Sequence, residues 1–138
     1  MENTLTRYGP LVGRILIALI FIFSGFGKIT GFSGTVGYIA SKGLPLPQLA
    51  AIAAIIIELG GGILLVMGLK ARWAAAAMLL FTGLAALFFH NFWAVSPDQA
   101  QNQMIHFMKN ISMMGGLLYV VVYGSGPISA DRENKNKW

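Results

Sequence analysis

The amino-acid sequence predicts an all-α membrane protein: a bundle of four transmembrane helices with a short interfacial helix between the first two. Hydrophobic residues make up 56% of the 138 residues and charged residues only 11%, whereas a soluble domain carries about 25% charged residues. The apolar residues form four continuous runs, each long enough to cross a hydrocarbon core of about 30 Å. Because the runs do not alternate as barrel strands do, helices are expected. One domain, residues 1–138, should contain them all.

The predicted spans cover residues 11–29, 49–69, 71–94 and 104–123. Arg7 stands before the first run, as in a signal peptide. No small-residue cleavage site follows, so we expect the first span to be retained.

Glycine and proline residues indicate where the connections between the spans begin and end. Residues 33–41 should form the interfacial helix, which ends near Gly43 before two prolines. A tight turn at residues 68–72 joins spans two and three, and residues 96–99 open a polar loop before span four. Residues 131–138 read as a charged, mobile tail.

The distribution of Lys and Arg predicts the orientation. Seven of these residues fall on the side of the termini and three on the other side, so the positive-inside rule places both termini in the cytoplasm. The first group is Arg7, Arg14, Lys70, Arg72, Arg132, Lys135 and Lys137, and the second is Lys28, Lys42 and Lys109.

Charge and cysteine content exclude several functions. The net charge is +5, but the basic residues flank apolar segments and form no run, so we expect no nucleic-acid partner. The chain has no cysteine, which excludes thiol nucleophiles and thiolate-bound iron–sulfur clusters. It also lacks a recognisable flavin or haem signature, so redox chemistry would need a bound cofactor, a substrate or an electron-transfer partner subunit.

Glu58 is the first pointer to a site. It is the single charged residue between Leu49 and Leu69, and a carboxylate at the centre of a span costs about 2.5–3.5 kcal/mol by insertion scales. Such a residue seldom faces lipid. It pairs instead with another polar group or with a bound molecule.

Helical spacing gives each span one polar face. In span one, Arg14, Ala18, Phe21, Gly25 and Lys28 share a stripe. His90 and Trp93 align at the end of span three, and span four carries His106, Lys109, Asn110 and Met113 on one stripe. If the faces converge, they predict an outward-opening pocket with Glu58 at its floor and aromatic walls from Phe89, Phe92, Trp93 and Phe107. Such a pocket suits a flat amphipathic ligand.

Each of these residues also has a structural interpretation. Lys28 could snorkel to the interface, and Trp93 could belong to an interfacial belt. Glu58 could form a structural bridge with Lys28 or Lys109. His90 and His106 could cap helices through loop carbonyls.

The sequence carries weak patterns for a metal site and for an oligomer. Two histidines and a carboxylate could bind a metal, but no close His-x-x-His or Glu-x-x-His spacing favours it, so none is predicted. The pairs Gly9/Gly13 and Gly27/Gly31 have the spacing of helix-dimer motifs and make a homo-oligomer possible.

The ordered series of motifs resembles the DoxX family over nearly the full chain. The motifs are Arg14, Ser24-Gly25-Phe26-Gly27-Lys28, Glu58-Leu59-Gly60-Gly61-Gly62, His90-Asn91-Phe92-Trp93, Met108-Lys109-Asn110 and Gly115-Gly116, and the tail from Gly126-Pro127 to Asp131-Arg132 resembles enterobacterial members. The resemblance implies a four-helix protein of the bacterial inner membrane. It also implies relatives such as the small subunit of a thiosulfate–quinone oxidoreductase and quinol oxidase subunits.

The residues and the resemblance together lead to a working hypothesis, a membrane oxidoreductase component that interacts with quinone or quinol. His90, His106 and Glu58 would relay protons. Lys28 or Lys109 would stabilise negative charge on the ligand, Asn110 would orient it and Trp93 would line the pocket. The alternative is a non-catalytic assembly or binding subunit, or a small-molecule permeability factor, with a structural Glu–Lys bridge.

Overall fold

This computed structural model describes residues 3–131 of the chain. Within this range the chain forms five main helices. They are α1 (Thr4–Thr30), α2 (Phe32–Ser41), α3 (Pro47–Met67), α4 (Ala71–Phe89) and α5 (Pro97–Tyr123). The long helices α1, α3, α4 and α5 supply four segments long and apolar enough to cross a membrane. This confirms the predicted four-span fold, and α2 is the short helix expected between the first two spans.

Local signals set the helix ends. The helix α1 begins seven residues before the predicted span, because the Asn3 side chain accepts a hydrogen bond from the Thr6 backbone N–H at 2.8 Å and caps the helix. Pro47 occupies the first turn of α3, where no partner for its missing N–H is needed. Gly68 ends α3 with a φ of +66°, a left-handed conformation that glycine adopts freely.

One boundary near the third connection was predicted wrongly, namely the start of span four. The third candidate span is Ala71–Ala94, as predicted; within it α4 ends at Phe89, and a 3₁₀ turn, Phe92–Ala94, follows. The expected polar loop forms instead the first turns of α5, with Ser96 at the N-cap and Pro97 opening the helix. A helix can extend beyond the apolar core, so the polarity of these residues did not exclude helical structure.

The predicted inner face of α1 is confirmed. Its buried residues are Arg14, Ala18, Phe21 and Gly25, which are the first four members of the predicted stripe. Ala18 and Phe21 pack in a core with buried side chains from α3, α4 and α5, including Leu65, Met78 and Leu117.

Both described ends of the chain lie at one end of the bundle, here called the terminal face. Residues 124–131 form a strap across it, with Gly126 packed against Pro10. The Ala130 and Asp131 backbone N–H groups donate to the carbonyls of Met67 and Gly68, at 3.0 and 2.8 Å. The expectation of a mobile tail is therefore wrong for Asp131, and residues 132–138 lie outside the described part. The compartment that this face meets stays a prediction.

Arg14 anchors the strap from inside the bundle. Its side chain is 2% exposed. It donates to the carbonyls of Leu65 and Val66, at 2.9 and 3.2 Å, and to that of Ile128 in the strap. These acceptors include the last carbonyls of α3, which have no partner within the helix. Arg14, which the sequence placed on the inward stripe of span one, thus joins α1, α3 and the strap.

Candidate functional site

The first polar cluster joins α1 to α3 and consists of Ser24, Lys28 and Glu58, here the Glu58 cluster. The Lys28 ammonium lies 2.8 Å from Glu58 Oε2, and the Ser24 hydroxyl donates to Glu58 Oε1 at 3.1 Å. Lys28 also donates to the Ser24 hydroxyl at 2.8 Å. The contact between Lys28 and Oε2 is an ion pair without hydrogen-bond alignment, which leaves Oε2 buried with no aligned donor. Of the two lysines that the sequence offered, the structure selects Lys28.

The local fold explains why these groups meet. Glu58 lies in a π-helical turn, Ile56–Gly60, that interrupts α3, and such turns are frequent at functional sites. Gly25 permits close approach at the same level, because a Cβ there would lie 2.9 Å from the Leu59 backbone nitrogen. The backbones of α1 and α3 therefore come together beside the carboxylate.

The second polar cluster consists of His90, Gln103, His106 and Lys109, here the histidine cluster. The two imidazole rings stack at a centroid distance of 5.1 Å, with planes 24° apart. His90 Nδ1 lies 2.9 Å from Gln103 Oε1, and Lys109 Nζ lies 3.2 Å from His106 Nδ1. The contacts of both histidines thus go to side chains of α5 and not to loop carbonyls.

With both rings neutral and the Gln103 amide oxygen directed at His90, these contacts correspond to complementary tautomers. An ammonium group can only donate, so His106 Nδ1 accepts and its Nε2 carries the proton. The Gln103 oxygen can only accept, so His90 Nδ1 carries the proton and its Nε2 is free to accept. Among the described residues neither Nε2 atom has a hydrogen-bond partner. The pair therefore presents one donor and one acceptor to a ligand.

Aromatic side chains border the histidine cluster. Phe92, Trp93 and Phe107 meet edge to face, with centroid distances of 5.2 to 5.6 Å. Trp93 is 58% exposed, which agrees with a place at the edge of the bundle. Three of the four rings expected to form an aromatic wall thus lie together, with Phe92 and Trp93 in the 3₁₀ turn. The fourth, Phe89, instead contacts Tyr38 at a centroid distance of 5.4 Å. The role of these rings as the wall of a ligand pocket stays a prediction.

Asn110 belongs to neither cluster. Its side chain is buried and donates to the Thr82 carbonyl on α4 at 3.3 Å. The Thr82 hydroxyl in turn donates to the Met78 carbonyl at 2.6 Å. Asn110 is thus engaged in the packing of α4 against α5, and its expected role in orienting a ligand stays a prediction.

The polar residues therefore form two hydrogen-bonded clusters, and the expected single pocket with Glu58 at its floor stays a prediction. Within residues 3–131 no ion pair or hydrogen bond joins Glu58 to a member of the histidine cluster. Sequence reasoning missed Ser24 and Gln103 as partners. Both lie at helical spacing from a predicted site residue, Ser24 four residues before Lys28 and Gln103 three before His106. The free energy of placing a serine or glutamine in a membrane is lower than that of a charged residue, so neither residue type by itself indicated a site.

Comparison with known proteins adds the family. Residues 9–91 match the family model described as DoxX, which is more than half of the chain. The chain belongs to the DoxX family. No solved structure matches it.

Two relatives of this DoxX protein that align over most of its length are named as inner membrane proteins of a bacterium. "Inner membrane protein YphA" of Escherichia coli strain K12 is 43% identical over 122 residues, which cover 88% of this chain and 87% of YphA. "Inner membrane protein YqjF" of the same strain is 38% identical over 130 residues, 94% and 95% of the two chains. "Putative oxidoreductase CatD" of Bacillus subtilis strain 168 is 41% identical over 70 residues, 51% of each chain. Together with the four candidate spans, these similarities identify a multi-pass protein of the bacterial inner membrane.

Proposed function

We propose that this protein is a component of a membrane oxidoreductase and binds the ring of a quinone or quinol at the histidine cluster. The observation that carries the proposal is the stacked pair His90 and His106, whose Nε2 atoms offer one acceptor and one donor. The name of the relative CatD contains the word oxidoreductase, which agrees with this class of function.

The chemistry of the cluster fits such a ring. When bound, a quinone takes up electrons and protons at its ring oxygens to become a quinol. The His106 Nε2–H can donate a hydrogen bond to a ring oxygen, and His90 Nε2 can accept one from a quinol hydroxyl. An imidazole can accept a proton at one ring nitrogen and release the proton on the other, so either ring can pass a proton on. The exposed Lys109 ammonium, which lies beside His106, stabilises negative charge at the ligand oxygen.

The surroundings suit a flat ligand. The exposed face of Trp93, with Phe92 and Phe107 beside it, offers apolar surface against which a ring can stack. The proposed role of these side chains is to bind the ring and to move protons, and they do not carry electrons. The electrons therefore come from a partner subunit or from the substrate.

One observation favours the alternative function. The pair between Lys28 and Glu58 joins α1 and α3 at their close approach, whereas the histidine cluster lies on α5 and at the end of α4. A non-catalytic membrane subunit or permeability factor would need this bridge for stability alone. The two proposed functions therefore assign different roles to the histidine cluster, whereas both are compatible with a structural role for the Glu58 cluster.

Retained quinone tests the proposal. The protein is purified from bacterial membranes in mild detergent, and bound lipids are extracted and measured by mass spectrometry. We expect quinone to copurify with the wild type and to be lost from the double variant H90A/H106A. Lys109→Ala should retain less than the wild type, while the matched variant Lys42→Ala, which changes a lysine outside the cluster, should retain as much.

Thermal unfolding of each variant separates loss of ligand from loss of fold. A wild type that retains no quinone, or a folded double variant that retains as much as the wild type, would refute the proposal. If the double variant does not fold, the comparison of Lys109→Ala with Lys42→Ala decides.

A further inference from the structure

An apolar groove runs between α4 and α5 on the outer surface of the bundle. It encloses about 470 Å³, and its lining includes Leu80, Gly83, Leu87, Phe107, Ile111 and Met114. Leu80 is 67% exposed and Leu87 is 53% exposed. In a chain whose helices span the membrane, these side chains meet lipid, so the groove opens sideways into the hydrocarbon core.

The groove continues into the proposed ring site. Gln103, Phe107, Ile111 and Met114 follow steps of four, four and three residues and so share one face of α5. The last three line the groove, while Gln103, one turn further on, contacts His90. The Phe107 ring also meets Trp93 at a centroid distance of 5.6 Å. One helix face thus leads from lipid-exposed apolar surface to the histidine cluster.

We infer that this groove holds the apolar tail of a lipid-dissolved quinone and admits it laterally from the bilayer to the histidine cluster. The inference rests on the proposed function and specifies its substrate class: a flat ring with a long hydrocarbon tail, not a water-soluble quinone. Lipid tails are as apolar as the leucine side chains of the groove. The groove therefore adds little affinity of its own, and the polar contacts of the ring supply most of it. A tail attached to a bound ring has to lie in the groove, however, so an obstacle there weakens binding of the tailed ligand alone.

Gly83 is the position at which this passage can be blocked. It lies seven residues before His90, about 10 Å along the axis of α4 at 1.5 Å per residue. A Cβ at Gly83 would lie 3.3 Å from Met114 Cε, the flexible end of a side chain, so a larger residue is accommodated by a shift of that methyl group. A leucine side chain would then project into the groove beyond the reach of a bound ring.

The experiment compares two ligands that share a ring. A background with Trp73→Phe and Trp138→Phe leaves Trp93 as the only tryptophan, and quenching of its fluorescence in nanodiscs reports binding beside it. The probes are a long-tailed ubiquinone and the tail-less form of the same ring. The test variant is Gly83→Leu. Its matched control is Gly13→Leu on α1, where an added Cβ meets nothing within 4 Å.

We expect Gly83→Leu to weaken binding of the long-tailed quinone by about tenfold or more, the scale on which an apolar pocket rejects a misfit, and to leave the tail-less ring unaffected. Ala76→Leu, at the far end of the groove, should act in the same direction more weakly. Unchanged binding of the long-tailed quinone by both groove variants would overturn the inference while leaving the ring site in place. If the wild type binds neither probe, the proposed function itself fails and the inference with it.

Discussion

Removal of the cation from the Glu58 cluster should destabilise the protein more than removal of the anion. The two side chains differ in exposure, 26% for Lys28 and 7% for Glu58. Lys28 lies two residues before the end of α1, so an unpaired lysine can extend toward the interface. Glu58 lies near the middle of α3, so its side chain cannot reach the interface in the same way. The pair is therefore symmetric in charge but not in the cost of losing a partner.

The structure sets the scale of this difference. Lys28→Met leaves a buried carboxylate without its cation, which costs about 3 kcal/mol of unfolding free energy, the lower end for a broken buried pair. Glu58→Gln keeps an acceptor for the Ser24 hydroxyl and frees the lysine to move, so it should cost only about 1 kcal/mol, the scale of polar contacts between membrane helices. The double variant K28M/E58Q removes both charges and should lie within about 1 kcal/mol of the wild type.

Unfolding in mixed micelles by titration with dodecyl sulfate, followed by far-ultraviolet circular dichroism, measures these free energies. Lys109→Met serves as the control because Lys109 is exposed, and it should change stability by less than about 0.5 kcal/mol. Equal costs for the two single variants, or a double variant no more stable than Lys28→Met, would refute the argument from unequal burial.

Two further predictions concern packing and capping. Gly25→Ala should lower the free energy of unfolding by about 1–3 kcal/mol through overpacking, because the new Cβ would lie 2.9 Å from the Leu59 backbone. The control is Gly27→Ala, where a Cβ meets nothing within 4 Å. In the same titration this control should be neutral or slightly stabilising. Asp131→Ala should cost about 1 kcal/mol, since both carboxylate oxygens accept backbone N–H bonds at the start of α4. Asp98→Ala, at a carboxylate that is not buried, should cost less, and equal losses at the two positions would contradict a capping role for the strap.

The sequence predicted best what local composition decides. Apolar runs specify spans because lipid leaves a backbone no other way to satisfy its polar groups. The inner face of α1 followed from spacing alone, since Arg14, Ala18, Phe21 and Gly25 recur at helical steps and all are buried. The boundary between α4 and α5 was missed because Ser96 and Pro97 are compatible with a loop as well as with a helix start.

What the chain determined by itself is thus the fold class and the number of spans, together with the face of α1 that turns inward. Only the tertiary structure decided which polar groups meet: that Glu58 pairs with Lys28, that the histidines pair with Gln103 and Lys109, and that residues 124–131 return to the turn after α3. The physical reason is distance. Periodicity fixes the direction of a side chain about its own helix, but contacts between helices depend on axial shifts and local turns, such as the π-helical turn at Ile56–Gly60, that no single segment encodes.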